Sequence, residues 1–366
     1  MTDIHYIGNN HQNTKRLFLF PETPSDANGY TIAVREDFKR FEFDKEDLVI
    51  VWTLFFDESI LFFENLHRDI NLNVLIIKRR RDWFYRLKSI LLFRHPSMFY
   101  SKSIAGLVER VYQLEYVFCG DTTFFLFADN IKGDFVREVR FHNIWMKIHN
   151  RLQIMPQAIV GSVMRMNLFF FNSLEKRIFK ANVNKIFINQ SDLTFYEVMT
   201  GDTGSKIWSV IDDICRRDVV HDEVLFNDDG SLQIIWFGSV SGHMEGGLKW
   251  FIKHVYIPLM DDGLNLRFDL YGEGSLKFNS KKYRITGHGR VVDSGLPMGG
   301  KGLFINPDLI GGGIKLKIKY FIEYNLRFLS TSFGMEGYEA VDTGNRALIS
   351  PPNEWLRVLR TLFDCG

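Results

Sequence analysis

Cysteine is scarce in this sequence. Among 366 residues there are three cysteines, Cys119, Cys215 and Cys365, which lie far apart and belong to no pairing or metal-binding motif. An odd, dispersed set excludes a disulfide framework and a cysteine-based metal centre. We therefore expect a reducing compartment and no metal site built on cysteine.

Long apolar runs are also absent. No stretch approaches the roughly 18 apolar residues that span a bilayer, and the first residues lack the cationic and then apolar pattern of a secretion signal. The formal net charge of +1 gives no basis for bulk binding of nucleic acid. Together these absences predict a cytoplasmic protein that does not bind nucleic acid.

The composition is that of a globular protein, with 46% hydrophobic and 24% charged residues. The chain is too long for one ordinary core and suits two domains. We place these domains at residues 1–215 and 216–366. Continuous apolar runs of strand length predict parallel sheets buried on both faces, and therefore an α/β fold.

The clearest functional pattern begins at residue 311 with three consecutive glycines. Without a Cβ, glycines let backbone N–H groups come close to an anion. Lys315 and Lys317 follow where a helix is expected to begin, and the helix dipole favours negative charge at that end. An apolar strand at 326–329 and a glycine-rich turn containing Glu336 come next. This order of elements predicts the second half of a nucleotide-binding α/β domain.

The same stretch resembles the donor-binding region of GT-B glycosyltransferases, in the retaining subgroup whose pattern contains G-x-G-I-K-x-K and, further on, T-x-x-G-x-E-G. The matching positions are Gly311, Gly313, Ile314, Lys315, Lys317, Thr331, Gly334, Glu336 and Gly337. The resemblance implies two Rossmann-like domains facing each other across a deep cleft. It also implies a nucleotide-sugar donor in the second domain, with the glycines (Gly312 included), Lys315 and Lys317 at its diphosphate.

One position departs from the family pattern. Tyr320 stands where these enzymes usually carry a helix glutamate that contacts the nucleotide ribose. Glu323 lies one turn further along the same helix face, and Glu336 keeps its place in the glycine-rich turn. We expect Tyr320 to lie at the donor site and Glu323 or Glu336 to supply the carboxylate that contacts the ribose. Glu336 is the stronger candidate.

Three further features of the second domain match the family. A strand at 232–237 leads into Gly238 and Ser239, which resemble the F-x-G-S loop and are expected at the donor site. Residues 285–289 occupy the place of the family's base-binding loop. A last helix at 354–363 is expected to pack back on the first domain.

The first domain resembles the family at scattered positions. A strand at 17–20 leads into a loop of prolines and Asn-Gly that carries Glu22 and Asp26, and such a loop lies at the cleft in GT-B enzymes. His142 follows a predicted strand in an R-x-H-N sequence, at the sheet edge where α/β folds place ligands. We expect His142 to be a catalytic residue that contacts the transferred sugar, the alternative being a structural histidine. Trp145 replaces a usual glutamate of the family.

The remaining elements of the first domain follow from apolar runs. The predicted strands are 48–53, 73–77, 122–128, 135–140 and 185–188. Residues 192–229 show no clear periodicity and carry many acidic residues. They are interpreted as the connection between the domains.

A basic segment at 78–94 interleaves Lys and Arg with Trp, Phe and Tyr before an apolar run. This pattern is typical of an interfacial helix on an anionic membrane surface. The alternative is a solvated basic face beside a core helix.

The resemblance implies a glycosyltransferase of bacterial surface polysaccharide or glycolipid assembly, acting on a glycan or lipid-linked acceptor. No Asp-x-Asp sequence suits a divalent ion, so metal-independent transfer is expected. Resemblance favours retention of configuration, in which the leaving phosphate can take the acceptor proton, whereas inversion would need a base such as a carboxylate of the 21–29 loop. The alternative function is a non-catalytic GT-B subunit that supports a partner transferase, which the replacements at Tyr320 and Trp145 would favour.

Overall fold

The structure is a computed structural model that describes residues 4–8, 14–23, 29–53, 56–78, 108, 113–154, 162–209, 226–240, 242–290, 302–310, 312–343 and 346–364. The chain forms two compact units. The first comprises Met1–Asn150 and Ser162–Val210, and the second comprises Arg151–Gly161 and Ile211–Gly366. Nothing in the sequence indicated that the segment beginning at Arg151 belongs with the second unit.

The first unit is built on one eight-stranded sheet. Its strands are β1 (Ile4–Ile7), β2 (Arg16–Phe20), β3 (Asp47–Thr53), β4 (Asn73–Lys78), β5 (Tyr116–Cys119), β6 (Val136–Phe141), β7 (Asn184–Phe187) and β8 (Lys206–Ile207). They follow the order β1-β4-β3-β2-β5-β6-β7-β8. Every neighbouring pair is parallel except β1 and β4, which are antiparallel.

Helices cover both faces of this sheet. The described helices of the unit are α1 (Gly29–Lys39), α2 (Phe56–Ile70), α3 (Phe125–Ala128), α4 (Trp145–Ile154), α5 (Ser162–Lys180) and α6 (Gln190–Thr200). The residues of α4 from Arg151 onward are counted with the second unit. In β2, Phe18 packs in a cluster with Phe63 of α2, whereas the next residue, Leu19, packs on the opposite face with Ile178 of α5. Successive strand residues point to opposite faces, so a strand covered on both sides reads as one apolar run. This pattern made β2, β3 and β4 predictable.

The predicted strand at 122–128 is wrong. Residues Thr122–Phe124 form a 3-10 turn that continues into α3, and the strand before them is β5. The Asp121 side chain caps the turn by accepting from the Thr123 backbone N–H at 2.8 Å. A short apolar run that is buried on all sides has the same sequence pattern in a helix as in a strand. The cap at Asp121 stabilises the helical conformation here.

The interpretation of residues 192–229 as an irregular connection is also wrong for its first part. The described residues there include most of α6 and the short strand β8. Asn189 caps α6 by accepting from the Asp192 backbone N–H, and Gly201 ends the helix in a left-handed conformation. Val198 is 80% exposed and Met199 is 51% exposed, and these exposed apolar residues obscure the helical period.

The second unit contains a six-stranded sheet whose strands all pair in parallel. Its strands are β9 (Leu232–Phe237), β10 (Leu266–Tyr271), β11 (Ile285–Gly289), β12 (Leu303–Asn306), β13 (Phe328–Ser330) and β14 (Ala347–Ile349). The spatial order is β11-β10-β9-β12-β13-β14, the order of the doubly wound Rossmann fold. The predicted α/β class is confirmed.

The described helices of the second unit are α7 (Gly242–Phe251), α8 (Ile257–Asp261), α9 (Leu316–Glu323) and α10 (Trp355–Asp364), with a π-helical segment (Ile252–Tyr256) joining α7 to α8. Trp355 and Leu359 of α10 pack in the same core cluster as Trp236 of β9 and Phe251 of α7. These two buried residues join α10 to the core of the second unit, and the packing of this helix on the first domain stays a prediction.

Within the described ranges, the structure has no helix long and apolar enough to cross a membrane.

Candidate functional site

The strand order of the second unit locates a binding site. In open α/β sheets, ligands bind outside the carboxyl ends of the strands at the point where the order reverses. Here that point lies between β9 and β12. Gly238 and Ser239 directly follow β9, and Asn306 is the last residue of β12. The structure therefore places the two predicted residues, Gly238 and Ser239, at this edge.

Backbone packing shapes the loop after β9. Gly272, which follows β10, has φ +128, and a Cβ at this position would overlap the carbonyl group of Gly238. Only glycine allows the two loops to come this close. The loop of Gly238 and the exposed Ser239 is thereby held against the end of β10.

The glycine loop lies after β12. Gly311 is outside the described residues, Gly312 is half-buried, and Gly313 is buried with φ +64. Lys315 is 8% exposed, and its Nζ donates to the carbonyl oxygens of Gly312 at 3.0 Å and Gly313 at 2.9 Å. The ammonium group is therefore fixed beside the loop, immediately before the first residue of α9, where the helix dipole is also positive.

Lys317 has a different environment from Lys315. Its Nζ lies 3.4 Å from the carboxylate of Asp308 and 5.3 Å from the centre of the Trp236 indole ring. Both members of the ion pair are buried, with side-chain exposures of 8% and 1%. Since Asp308 already neutralises this ammonium, Lys317 is suited to supporting the site more than to binding a diphosphate.

The turn after β13 is tied to β12 by hydrogen bonds. Thr331 Oγ1 donates to the Asp308 carbonyl at 2.6 Å and accepts from the Gly334 backbone N–H at 2.9 Å. A Cβ on Gly334 would overlap the side chains of Asn306 and Ser330. Through Asp308, the same network reaches Lys317 of α9, so it connects the glycine loop with the glycine-rich turn.

Glu336, in that turn, is 5% exposed and forms a two-pronged ion pair with Arg151 of the second unit. Arg151 Nη1 donates to Oε2 at 2.8 Å, and Nη2 donates to Oε1 at 2.7 Å. Sequence reasoning missed Arg151 because it is 185 positions away from Glu336 and belongs to no motif.

The other two candidates for the ribose contact lie on α9. Tyr320 packs edge to face against Phe237 with ring centres 6.0 Å apart, and its ring is stacked near Tyr324 at 6.2 Å. Glu323 pairs with Lys319 of its own helix at 3.6 Å. Of the two predicted carboxylates, Glu336 is the one that the structure connects with the cations of this edge.

Residues 285–289, expected as a base-binding loop, form strand β11 instead. Their pairing with β10 includes an irregularity after Leu270. His288 in this strand stacks on Tyr271 with ring centres 4.4 Å apart and lies 2.7 Å from Asp269 Oδ1.

In the first unit, His142 follows β6 at the carboxyl edge of the sheet. It is 7% exposed, and its Nε2 donates to the Gly120 carbonyl at 2.7 Å. Burial, together with the nearby Arg140 guanidinium, lowers the pKa of His142 to about 4. The imidazole is therefore neutral at physiological pH and carries its proton on Nε2.

A buried carboxyl group that the sequence did not point to lies at the beginning of α4, the helix that follows His142 in the chain. Glu175 of α5 accepts from the backbone N–H groups of Trp145 and Met146 at 2.7 and 2.8 Å, which caps α4. Burial raises the pKa of Glu175 to about 8. Trp145 itself stacks on Phe171, with ring centres 4.4 Å apart, so the tryptophan that replaces the family's glutamate is a packing residue.

Glu22, one of the two acidic residues of the loop after β2, is buried and accepts a hydrogen bond from Thr53 Oγ1 at the end of β3. Ser59 donates to the same threonine at 3.1 Å. Asp26 and most of the basic segment at 78–94 lie outside the described residues. In the described part of the chain, no group of three or more His, Cys, Asp or Glu side chains is arranged to hold a metal ion.

No known family model matches this chain, and no curated protein matches it in sequence. Solved structures do match its fold. HepE from Anabaena, solved with UDP and glucose, has a TM-score of 0.54 at 13% identity over 96% of this chain and 89% of its own. A trehalose 6-phosphate synthase from Burkholderia multivorans has a TM-score of 0.56 at 11% identity, over 95% of this chain and 88% of its own. The lipopolysaccharide outer core galactosyltransferase WaaB has a TM-score of 0.55 at 10% identity, over 96% of this chain and 91% of its own. The likeness shows a GT-B fold.

Proposed function

We propose that this protein is a glycosyltransferase that transfers a sugar from a nucleotide-sugar donor to a glycan or lipid-linked acceptor. The observation that carries the proposal is the position of Lys315 and the glycine loop at the reversal point of a Rossmann sheet. Support also comes from two structures of the same fold, HepE with UDP and glucose and WaaB, a galactosyltransferase. Bacterial surface polysaccharide or glycolipid assembly is the process in which we place it.

The chemistry that this edge can supply is stabilisation of a leaving diphosphate. Backbone N–H groups of the glycine loop, the beginning of α9 and the Lys315 ammonium group all place positive potential where negative charge develops. These groups need no metal ion, so the proposed transfer is metal-independent. The leaving phosphate can itself accept the proton of the acceptor hydroxyl, and we propose retention of configuration.

His142 is proposed to contact the transferred sugar. The imidazole is neutral and fixed by the Gly120 carbonyl, so it suits hydrogen bonding more than general base catalysis. Loss of one hydrogen bond that forms in the transition state typically costs about 10²–10³ in turnover. His142→Ala is expected to lose transfer by this factor while it retains nucleotide binding.

A second candidate function is a non-catalytic subunit that binds and supports a partner transferase. The observation that favours it is the position of Tyr320, which packs among Phe237 and Tyr324 instead of offering a carboxylate. Against it, Lys315 and the described glycines keep an anion-binding arrangement, which a supporting subunit does not require.

A thermal-shift panel of UDP, GDP, dTDP and CMP sugars tests the proposal, because a ligand that binds only the folded state raises the melting temperature. We expect one of the diphosphate sugars to raise it, with a smaller effect from the monophosphate CMP sugar. If no sugar nucleotide of any class raises it, the transferase proposal fails and the subunit becomes the better account.

A further inference from the structure

Two cations share one aromatic ring beside Glu336. Lys315 Nζ lies 4.5 Å from the centre of the Phe333 ring, and the Arg151 guanidinium carbon lies 4.8 Å from it. Arg151 is 30% exposed along its side chain, whereas the Glu336 carboxylate that it holds is 6% exposed. The Arg151 side chain is therefore partly open to solvent while the carboxylate that it binds is buried, and its guanidinium lies near the same ring as the lysine of the glycine loop.

We infer that Arg151 is a donor-site residue that orients Glu336 towards the ribose and supplies a second cation for the donor diphosphate. The inference rests on the proposed function, since it assigns a role to this arginine in donor binding. Arg151 lies outside every motif of the sequence, so this assignment adds a residue to the donor site that the family pattern does not contain.

Charge supports this assignment. A nucleoside diphosphate carries at least two negative charges, and Glu336 adds another at the same edge. Lys317 and Arg151 are both paired with a carboxylate, but Lys317 is 8% exposed in its pair with Asp308, whereas the Arg151 side chain is 30% exposed in its pair with Glu336. Arg151 is therefore the more accessible of the two ion-paired cations. Arg151 neutralises the Glu336 carboxylate, and a guanidinium binds phosphate oxygens well.

Geometry supports it as well. Both terminal nitrogens of Arg151 donate to the Glu336 carboxylate, at 2.8 and 2.7 Å, which fixes the two planar groups relative to each other. Each carboxylate oxygen has two lone pairs, so a hydrogen bond from Arg151 does not prevent Glu336 from accepting a ribose hydroxyl. The two-pronged pair instead fixes the plane in which that acceptance occurs.

The test is a double-mutant cycle with Arg151→Ala and Glu336→Gln, measured by calorimetric titration with UDP and with uridine. If the panel above selects another diphosphate, that nucleotide and its nucleoside are used. We expect Arg151→Ala to lower UDP affinity about 10–100-fold, as for loss of a charge-assisted hydrogen bond. In the Glu336→Gln background it should still lower UDP affinity about tenfold or more and leave uridine affinity unchanged.

Two variants serve as comparisons. Arg151→Lys keeps the charge but not the two-pronged geometry, and it should bind UDP with intermediate affinity. Arg357→Ala removes an exposed arginine of the same unit, 74% exposed in its pair with Glu354, and should bind UDP like the wild type. Circular dichroism confirms that each variant is folded.

Each outcome decides between the claims. UDP affinity unchanged in a folded Arg151→Ala variant, or an effect that vanishes when Glu336 is already glutamine, overturns the diphosphate contact while the transferase proposal stands. A wild-type protein that binds no nucleotide at all overturns the proposed function and this inference with it.

Discussion

Lys315 and Lys317 are two residues apart, yet they have different partners. Lys315 donates to the glycine loop, and Lys317 pairs with the buried carboxylate of Asp308. Alternate helix residues face apart, so a diphosphate at the loop meets one ammonium group and not both. At the scale of the residue, we therefore propose that Lys315 binds the donor and that Lys317 stabilises the fold.

The stability role of Lys317 has a direct test. Lys317→Ala leaves Asp308 charged and buried without its cation, a change that typically costs about 3–5 kcal/mol in the free energy of unfolding. Chemical denaturation of the purified variant measures this loss. The double variant with Asp308→Asn removes the stranded charge and should recover part of the stability. If Lys317→Ala unfolds at the wild-type denaturant concentration, the pair has no structural role.

His142 predicts a dependence of stability on pH. Its pKa in the folded protein is about 4, against an ordinary value of 6.5. As the pH falls below 6.5, the unfolded chain binds a proton that the folded protein does not, so stability is lost as the pH falls towards 4. The difference corresponds to about 3 kcal/mol at pH 4. His142→Gln keeps a donor without titrating, so urea denaturation between pH 7 and pH 4.5 should show a shallower decline in the variant. Parallel declines would contradict the buried neutral imidazole.

At the scale of the element, the turn after β13 is closely determined by packing. Gly334 lies against the side chains of Asn306 and Ser330, and Thr331 connects the turn with Asp308. Because the turn also carries Glu336, its geometry determines where that carboxylate lies.

Gly334→Ala tests this packing. The added methyl group overlaps two buried side chains, and overpacking of this kind typically costs about 1–3 kcal/mol. We expect a lower unfolding midpoint and, because the turn shifts, weaker nucleotide binding in titration calorimetry. Gly204→Ala is the matched control, since a Cβ there meets only the Asp202 side chain at 3.4 Å. A variant that matches wild type in both measurements would show that the turn has room to adjust.

The sequence predicted elements where burial leaves a simple pattern. Strands β2 and β3 are apolar on both faces, and their predicted ranges agree with the structure to within a residue. The run at 122–128 was misread because full burial removes the period that separates a helix from a strand. Helix α6 was missed because Val198 and Met199 are exposed.

The candidate site was predictable only where its residues are close together in the sequence. The glycines and lysines after β12 form one short segment, and their spacing indicated an anion site. Arg151 and Glu175 act through contacts with residues 185 and about 30 positions away. A single sequence contains no sign of such pairings, so the partner of Glu336 had to come from the structure.

At the scale of the whole molecule, each unit contains a sheet that is parallel apart from β1 in the first unit, with polar residues at its carboxyl edge. His142 lies at that edge in the first unit, and the glycine loop lies at that edge in the second. The donor contacts proposed here all belong to the second unit, including Arg151. Nucleotide binding and the role of His142 are therefore separable by mutation.

Membrane association is a further prediction for the whole protein. The basic segment at 78–94 lies almost entirely outside the described residues, so the prediction stands on the sequence. We expect the protein to float with vesicles containing anionic lipid at low ionic strength, with about 1 kcal/mol from each basic residue near the surface and loss of binding in high salt. Changing Arg79, Arg80 and Arg81 to Ser should abolish flotation. Failure of the wild type to float would make the segment a solvated basic face.

The central claim is that the glycine loop and Lys315 hold the diphosphate of a sugar nucleotide. Calorimetric titration of wild type and Lys315→Ala with the sugar nucleotide selected by the panel tests it most directly, with Lys249→Ala as a control because that side chain is 63% exposed. The account predicts that Lys315→Ala weakens binding by about 1.5–3 kcal/mol, the usual contribution of a charge-assisted hydrogen bond, and that Lys249→Ala binds like the wild type. Unchanged affinity in a folded Lys315→Ala protein would contradict it.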